Sequence, residues 1–216
     1  MGFINNNRKK PKLIMAGGEF CVNATRSAIN YYLDNNQGNI KIKIPNLHSK
    51  ITGGIDKDGQ TWLYLNSYNS YGKKYCKLLD KEIIIVSFKG IEHVITDSLI
   101  IEGKNDVEIK KLSYEILKEL KLLKYKASGV IFINSKDDII NIIPVVYVKK
   151  VNTLFIETAC GSGSAAVAIY YYINYNKKEC KIMQPSKMYL NTKIYINKDN
   201  SIKKIKISGV VNELKK

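Results

Sequence analysis

The sequence predicts an α+β fold in which three helices separate runs of short β-strands. Apolar residues recur at helical spacing in three segments, residues 23–33, 105–123 and 162–174. Most other apolar segments alternate with polar residues at a period of two, or form short runs rich in isoleucine and tyrosine. Strands and helices do not alternate one by one, which argues against a doubly wound parallel sheet.

Local signals support each element in chain order. A short apolar strand at residues 12–16 runs into Gly17 and Gly18, and the first helix ends before Gly38. In the second helix an apolar stripe lies on one face, while lysines and glutamates cover the other. The predicted strands after the first helix cover residues 40–44, 61–65, 75–79, 83–88, 91–101, 129–134, 139–148, 154–156 and 181–211.

Length and composition limit the class of protein. A chain of 216 residues has one or two domains. It contains no apolar run of the roughly 18 residues that a membrane span needs, and its start lacks the apolar stretch of a signal peptide. Four cysteines are too few for a disulfide scaffold. We therefore expect reduced thiols, no contact with a membrane and a cytoplasmic location.

The net charge of +16 suggests a nucleic-acid partner, but 33 of the 35 basic residues are lysine. Arginine, with its fork of donors, is favoured for reading bases and for binding phosphates. The lysines are scattered along the chain together with many isoleucines and asparagines. A general bias in composition explains this pattern. We expect no nucleic acid as partner and keep a basic nucleic-acid-binding module as an alternative.

Two segments of the chain resemble each other. Each contains a glutamate, then a cysteine, then small polar residues and a helix that carries a tyrosine pair. The cysteines are Cys21 and Cys160, and in both segments the first tyrosine of the pair follows 10 residues later. Such an internal repeat is typical of two similar halves, which here would face each other.

Each of these cysteines is predicted at the N-terminus of a helix, where free N–H groups and the helix dipole favour negative charge. A thiol in such a place can have its pKa lowered from ~8.5 to between ~3.5 and ~7.5. The same amides can bind a carboxylate. Two thiols that flank one α-carbon can take a proton from one face and give one to the other, which inverts the stereocentre without a cofactor.

The segment 157–163, Glu-Thr-Ala-Cys-Gly-Ser-Gly, closely resembles the second catalytic cysteine motif of the diaminopimelate epimerase-like superfamily, which includes cofactor-independent amino-acid racemases and epimerases. Residues 21–26, Cys-Val-Asn-Ala-Thr-Arg, resemble the first motif, with Val22 where a glycine is usual. Residues 90–94 resemble the Gly-x-Pro-His segment of the family, with Glu92 in place of proline.

The resemblance implies two pseudo-symmetric domains, each a β-barrel-like sheet around a central helix, with the active site in the cleft between them. It implies an N-terminal domain at residues 1–103, a C-terminal domain at residues 104–205 and a tail at residues 206–216 that returns to the first domain. Only 20 residues precede Cys21. We therefore expect that the first domain is incomplete, that the start site is misassigned, or that the chain is a fragment.

The resemblance also implies the site and the activity. The enzyme would be an isomerase that uses no cofactor and no metal, acts on a small amino acid, and is either a monomer or a homodimer. The expected site residues are the catalytic thiols Cys21 and Cys160 and the carboxylate-binding backbone of Val22, Asn23, Gly161 and Ser162. From its position three residues before Cys160, Glu157 is a further candidate, either to bind the substrate ammonium or to cap or pair locally.

Residues 15–21 and 144–148 resemble the histidine racemases of the superfamily, so histidine is the leading substrate. Diaminopimelate epimerases carry a Glu-Arg-Gly segment before the second cysteine, whereas residues 151–155 contain no arginine. Arg26 is the one arginine expected near the site. A diaminopimelate epimerase and a non-catalytic relative that binds a small carboxylate remain as alternatives.

The two histidines are weaker candidates. We expect His93 to be a hydrogen-bonded structural residue rather than a catalytic base, and His48 to be exposed in a loop. Cys76 and Cys180 lack the glycine-rich context of the other two cysteines and are expected to be structural. The histidines and cysteines together do not have the spacing of a zinc site.

Overall fold

A computed structural model describes residues 1–45, 47, 49–66, 68–136 and 138–212. Within these residues the helices are α1 (Val22–Tyr32), α2 (Asp106–Glu119) and α3 (Gly161–Tyr175). The strands are β1 (Gly2–Ile4), β2 (Leu13–Met15), β3 (Gly38–Ile42), β4 (Ile51–Ile55), β5 (Thr61–Leu65), β6 (Ser70–Cys76), β7 (Lys81–Phe88), β8 (Ile91–Asp97), β9 (Ala127–Lys136), β10 (Ile139–Val148), β11 (Thr153–Ile156), β12 (Glu179–Met183), β13 (Tyr189–Ile196) and β14 (Ile202–Gly209).

One large sheet contains twelve of these strands. Its order is β3-β4-β5-β14-β13-β12-β10-β9-β8-β7-β6, and β11 pairs with the free part of β10. Neighbouring strands are antiparallel except for the pairs β8–β9 and β10–β12, which are parallel. β1 and β2 form a separate antiparallel hairpin, which meets the region after β3 through a parallel bridge between Lys12 and Lys43.

The sheet curls around α3. This helix contacts β7 and β8 on one side and β12, β13 and β14 on the other. Every residue from Gly161 to Ile169 is buried. A helix enclosed in this way needs small or apolar residues all round, which explains the Gly-Ser-Gly-Ser-Ala-Ala-Val-Ala-Ile sequence of its first half.

The other two helices lie on different parts of the sheet. α1 contacts β2, β3, β4 and β5, and buries Val22, Ala28, Ile29 and Tyr32. α2 covers β9, β10 and β11 with a second apolar cluster, to which Ile116 and Leu117 belong. α2 begins with a capping box, in which the side chain of Asn105 and that of Glu108 each accept a backbone N–H of the other.

The α+β prediction is confirmed, and the three predicted helices begin within one residue of their positions in the structure. The strands β1 and β4 were not predicted, and the strand predicted at residues 75–79 is wrong, because it covers only the end of β6 and is followed by a 3₁₀-helix at Lys77–Leu79. Among the described residues the edge strands β3 and β6 do not pair with each other, so the sheet is open and not a closed barrel. None of the helices in the described part of the chain is long and apolar enough to span a bilayer.

The late strand β14 pairs with β5, so the last part of the sequence joins the first part in one continuous sheet. The division into domains at residues 103 and 205 stays a prediction. Residues 213–216 of the predicted tail, and His48, lie outside the described residues.

Candidate active site

Cys21 and Cys160 are the N-cap residues of α1 and α3, and their side chains bond to the helices in the same way. The Sγ of Cys21 accepts the N–H of Ala24 at 3.4 Å, and the Sγ of Cys160 accepts the N–H of Gly163 at 3.3 Å. Both cysteines have extended backbones, with φ −119° and ψ 114° for Cys21 and φ −130° and ψ 104° for Cys160. Each sulfur thus takes the place of the oxygen that usually caps a helix.

The first turns of the two helices match as well. The hydroxyl of Thr25 donates to the carbonyl of Cys21 at 2.8 Å, and that of Ser164 donates to the carbonyl of Cys160 at 2.8 Å. In both cases the residue four positions after the cysteine makes the bond. The resemblance between the two segments in the sequence therefore extends to their hydrogen bonds.

The N-termini of α1 and α3 touch each other. The side-chain amide of Asn23 donates to the carbonyl of Ala159 at 2.8 Å, which links the first turn of α1 to the loop before α3. Val22 packs directly over Gly161. The first N–H groups of each helix have no carbonyl within their own helix to bond. Val22, Asn23, Gly161 and Ser162, which carry the first of these groups, border one shared space.

That space is a cavity of about 480 Å³. It lies within the size range of small-molecule sites. All seven predicted site residues border it, and hydrophobic residues from several elements, among them Met15 of β2 and Val146 and Val148 of β10, form much of the remaining wall. The full lining is Met1, Met15, Ala16, Gly17, Glu19, Phe20, Cys21, Val22, Asn23, Ile91, Ala127, Val146, Val148, Val151, Thr153, Phe155, Glu157, Cys160, Gly161 and Ser162.

Glu19 and Glu157 carry the charged side chains in this lining, although the whole protein is strongly basic. The carboxyl group of Glu157 interacts with the thiol of Cys160 and acts electrostatically on that of Cys21. Burial raises the pKa of Glu157, and the nearby Glu19 adds to that rise. One carboxyl oxygen of Glu19 is buried without a hydrogen-bond partner. The cavity therefore favours a cationic group.

The expectation of lowered thiol pKa values is wrong for this structure. Burial raises the pKa of Cys21, and it raises that of Cys160 well above the usual value. The negative charge of Glu157 raises both further. The backbone N–H groups at the helix ends do lower each pKa, but they do not outweigh burial. Both cysteines are therefore mainly thiols at neutral pH.

A hydrogen-bonded chain runs behind Cys160. Its Sγ lies 3.6 Å from the hydroxyl of Ser162, which is bonded at 2.9 Å to Nε2 of His93. His93 is fully buried in β8, and burial lowers its pKa to about 3. Its Nδ1 has no hydrogen-bond partner. His93 is therefore a neutral, hydrogen-bonded residue, as the sequence predicted, but it reaches the site through Ser162.

The sequence did not reveal the role of Gln184. This residue is 2% exposed, and its Oε1 accepts the backbone N–H of Cys160 at 2.9 Å. Its Nε2 donates to the hydroxyl of Ser164 at 3.1 Å and to the carbonyl of Ile182 at 3.2 Å. Gln184 thus fixes Cys160 to the end of β12. It follows a strand with no motif around it, so only the structure could identify it.

Arg26 does not reach the cavity. Its guanidinium donates to the carbonyls of Thr61 at 3.0 Å, Val210 at 3.2 Å and Gly209. Burial lowers its pKa to about 10. Arg26 therefore ties α1 to β5 and to the end of β14. No basic side chain of the described residues borders the cavity. In the described part of the chain no cluster of three or more His, Cys, Asp or Glu could hold a metal ion.

Comparison with known proteins gives a consistent result. A family model described as the histidine racemase CntK N-terminal domain matches residues 1–214. A histidine racemase of Fusobacterium nucleatum subsp. nucleatum is 29% identical over 199 residues, and the match covers 86% of this chain and 70% of the relative. A histidine racemase of Staphylococcus aureus is 23% identical over 216 residues, with the same coverage of both chains.

Solved structures with the same fold include a hydroxyproline epimerase from Agrobacterium vitis with bound trans-4-hydroxy-L-proline. The two structures superimpose with a TM-score of 0.65 at 9% sequence identity. The match covers 97% of this chain and 72% of the epimerase chain. A phenazine biosynthesis PhzC/PhzF protein from Clostridium difficile has a TM-score of 0.59 at 13% identity, over 97% and 78% of the two chains. At these identities the likeness concerns the fold, and it agrees with the α+β fold predicted from the sequence.

Proposed function

This chain belongs to the histidine racemase family defined by the CntK N-terminal domain, and from that premise we propose that Cys21 and Cys160 racemise an amino acid as a pair of acid/base thiols. The superfamily and the isomerase class predicted from the two cysteine segments are confirmed by this membership. The observation that carries the proposed mechanism is the matched position of the two thiols, which cap two touching helices and border one cavity.

In the proposed reaction one cysteine is a thiolate and the other a thiol. The thiolate takes the α-proton from one face of the substrate, and the electron pair left on carbon is delocalised into the carboxylate. The thiol then gives its proton to the opposite face. The configuration is inverted, and the two cysteines have exchanged protonation states. No further group is required as acid or base.

Charges on the substrate complement those of the cavity. The first backbone N–H groups of α1 and α3, on Val22, Asn23, Gly161 and Ser162, lie at two helix N-termini, which suit the substrate carboxylate and the negative charge that develops on it. Glu157 suits the substrate ammonium. Because that ammonium neutralises Glu157, substrate binding removes one cause of the raised thiol pKa values. Substrate binding therefore favours the thiolate by that contribution, while burial, the larger cause, remains.

Histidine is the substrate that we propose. Its side chain is polar and can carry a positive charge, which agrees with a cavity whose charged side chains are those of Glu19 and Glu157. A diaminopimelate substrate carries a second carboxylate, and no basic side chain of the described lining could bind it. The absence of a cofactor, the cytoplasmic location and the oligomeric state stay predictions.

Incubation of the purified chain with L-histidine under reductant, followed by chiral chromatography, tests the proposal. We expect D-histidine to form, and we expect its rate to fall by roughly 10²–10⁴-fold in Cys21→Ala and in Cys160→Ala. Cys180→Ala is the matched control, because Cys180 is also buried but does not border the cavity. Full activity in either of the first two variants would contradict the mechanism. Turnover of another amino acid alone would contradict only the substrate.

A further inference from the structure

Val22 and Gly161 occupy the first helical positions of α1 and α3 and face each other across the contact between the helix ends. A Cβ added to Gly161 would overlap Cγ1 of Val22 and would lie 2.7 Å from its Cβ. It would also lie 3.0 Å from Oδ1 of Asn23. Val22 is 1% exposed and belongs to the main hydrophobic core, so it has little room to move.

This contact joins the two residues that directly follow the candidate thiols. Any shift between Val22 and Gly161 therefore moves Cys21 relative to Cys160 by a similar amount. The two halves are alike in their caps and first turns, but at this position one carries a branched side chain and the other carries none. Two branched residues would overlap at this contact and push the helix ends apart.

We infer that Val22 is a positioning residue: packed on Gly161, it sets the spacing of the Cys21 and Cys160 thiols across the cavity. The inference deepens the proposed two-thiol function and rests on it. Because acid/base transfer needs reacting atoms in a defined geometry, a misplacement of about 1 Å can cost roughly 10²-fold in rate. The spacing therefore depends on the pair of residues, not on either one alone.

Three variants test this pair. Gly161→Ala should lower racemisation by roughly 10²-fold, because the new methyl group forces the helix ends apart. Adding Val22→Gly should recover most of the loss, since it removes both Val22 atoms that the methyl group meets. Adding Val22→Ala instead should not recover the rate, because alanine keeps the Cβ that would lie 2.7 Å from the new methyl group. Gly72→Ala is the matched control, as a Cβ there meets nothing within 4 Å.

Cross-linking of the two thiols by dibromobimane, a reagent that bridges neighbouring thiols, gives a readout that needs no turnover. Mass spectrometry should find the Cys21–Cys160 bridge in the wild type, the Gly72→Ala control and Val22→Gly/Gly161→Ala. It should be much reduced in Gly161→Ala and in Val22→Ala/Gly161→Ala. Melting curves identify variants that are folded, and the two double variants keep the comparison valid if Gly161→Ala alone does not fold.

The inference is overturned if the two double variants behave alike in cross-linking, or if the wild-type thiols do not cross-link. It is equally overturned if Gly161→Ala is folded and cross-links as well as the wild type. If the cross-linking pattern is as expected but no variant or wild type racemises an amino acid, then the spacing role holds and the proposed function fails. The two failures are therefore distinguishable.

Discussion

At the N-terminus of α1, Cys21 is partly exposed to the cavity, and its helix is amphipathic and packs on one side of the sheet. At the N-terminus of α3, Cys160 is 4% exposed, and the sheet curls around its helix. The sulfur bonds and first-turn hydroxyl bonds of the two ends are nearly the same. The residues that surround and hold the two helix ends differ.

The same cysteine-capped helix end is therefore supported by different residues in α1 and in α3. α1 is held from its side by Arg26, which binds three backbone carbonyls of β5 and the end of β14. Cys160 is held by side chains that reach its own backbone and sulfur, namely Gln184 and the Ser162–His93 pair. We expect the α3 end to be the more rigid of the two.

Replacing the buried His93 should give the largest change, which we expect in the pH dependence of the unfolding free energy. The pKa of His93 in the folded protein is about 3, below its usual value of about 6.5. Its contribution to stability is therefore complete above pH 6.5 and is lost as the pH falls towards 3. Each pH unit in that window costs up to about 1.4 kcal/mol of unfolding free energy. In His93→Gln, which can still bond Ser162, that part of the acid destabilisation should disappear.

Urea unfolding of wild type and His93→Gln at several pH values between 4 and 7 measures this. The two proteins differ only at position 93, so the difference between the two pH slopes isolates His93. Equal slopes would mean that His93 is not a neutral buried group, and the contrast between the supports of the two cysteines would lose its main element.

Loss of Arg26 should destabilise the α1 end by a smaller amount. Arg26→Met leaves the carbonyls of Thr61, Gly209 and Val210 without this donor, and we expect a loss of about 3 kcal/mol in unfolding free energy. Arg8→Met is the matched control, because Arg8 forms an exposed ion pair with Asp34 and its loss should change stability little. Denaturant titration of both variants at pH 7 compares them. A similar, small loss in both would show that Arg26 does not anchor α1.

Neutralising Glu157 should affect both thiols, and Cys160 more than Cys21. The carboxyl group of Glu157 raises the pKa of both, and it also interacts directly with the Cys160 thiol. In Glu157→Gln the pH midpoint of alkylation by iodoacetamide, followed for each cysteine by mass spectrometry, should move to lower pH. Glu179→Gln is the control, since Glu179 pairs with Lys193 on the surface. Unchanged midpoints would show that the charge of Glu157 does not affect the pKa of either thiol.

Much of this architecture follows from local sequence patterns. The helices, the two cysteine caps and the family could be predicted because helical periodicity and the Cys-Gly-Ser-Gly segment are signals within a few residues. The raised thiol pKa values could not, because burial depends on strands far away in the sequence. The same holds for Gln184, which reaches Cys160 across 24 positions, and for the bond between Ser162 and His93 across 69 positions. Contacts between residues so far apart in the sequence leave no periodic pattern in it.

Isotope exchange in deuterium oxide tests whether the two helix ends act on opposite faces of one α-carbon. Wild type, Cys21→Ala and Cys160→Ala are each incubated with L-histidine and, separately, with D-histidine under reductant. Deuterium at the α-carbon and the chirality of the product are then measured. We expect wild type to exchange and invert both enantiomers. Inversion should fall by roughly 10²–10⁴-fold in both variants, and residual exchange should be confined to one enantiomer, opposite in the two variants. Inversion at the wild-type rate by either variant, or exchange of the same enantiomer by both, would contradict the two-thiol mechanism.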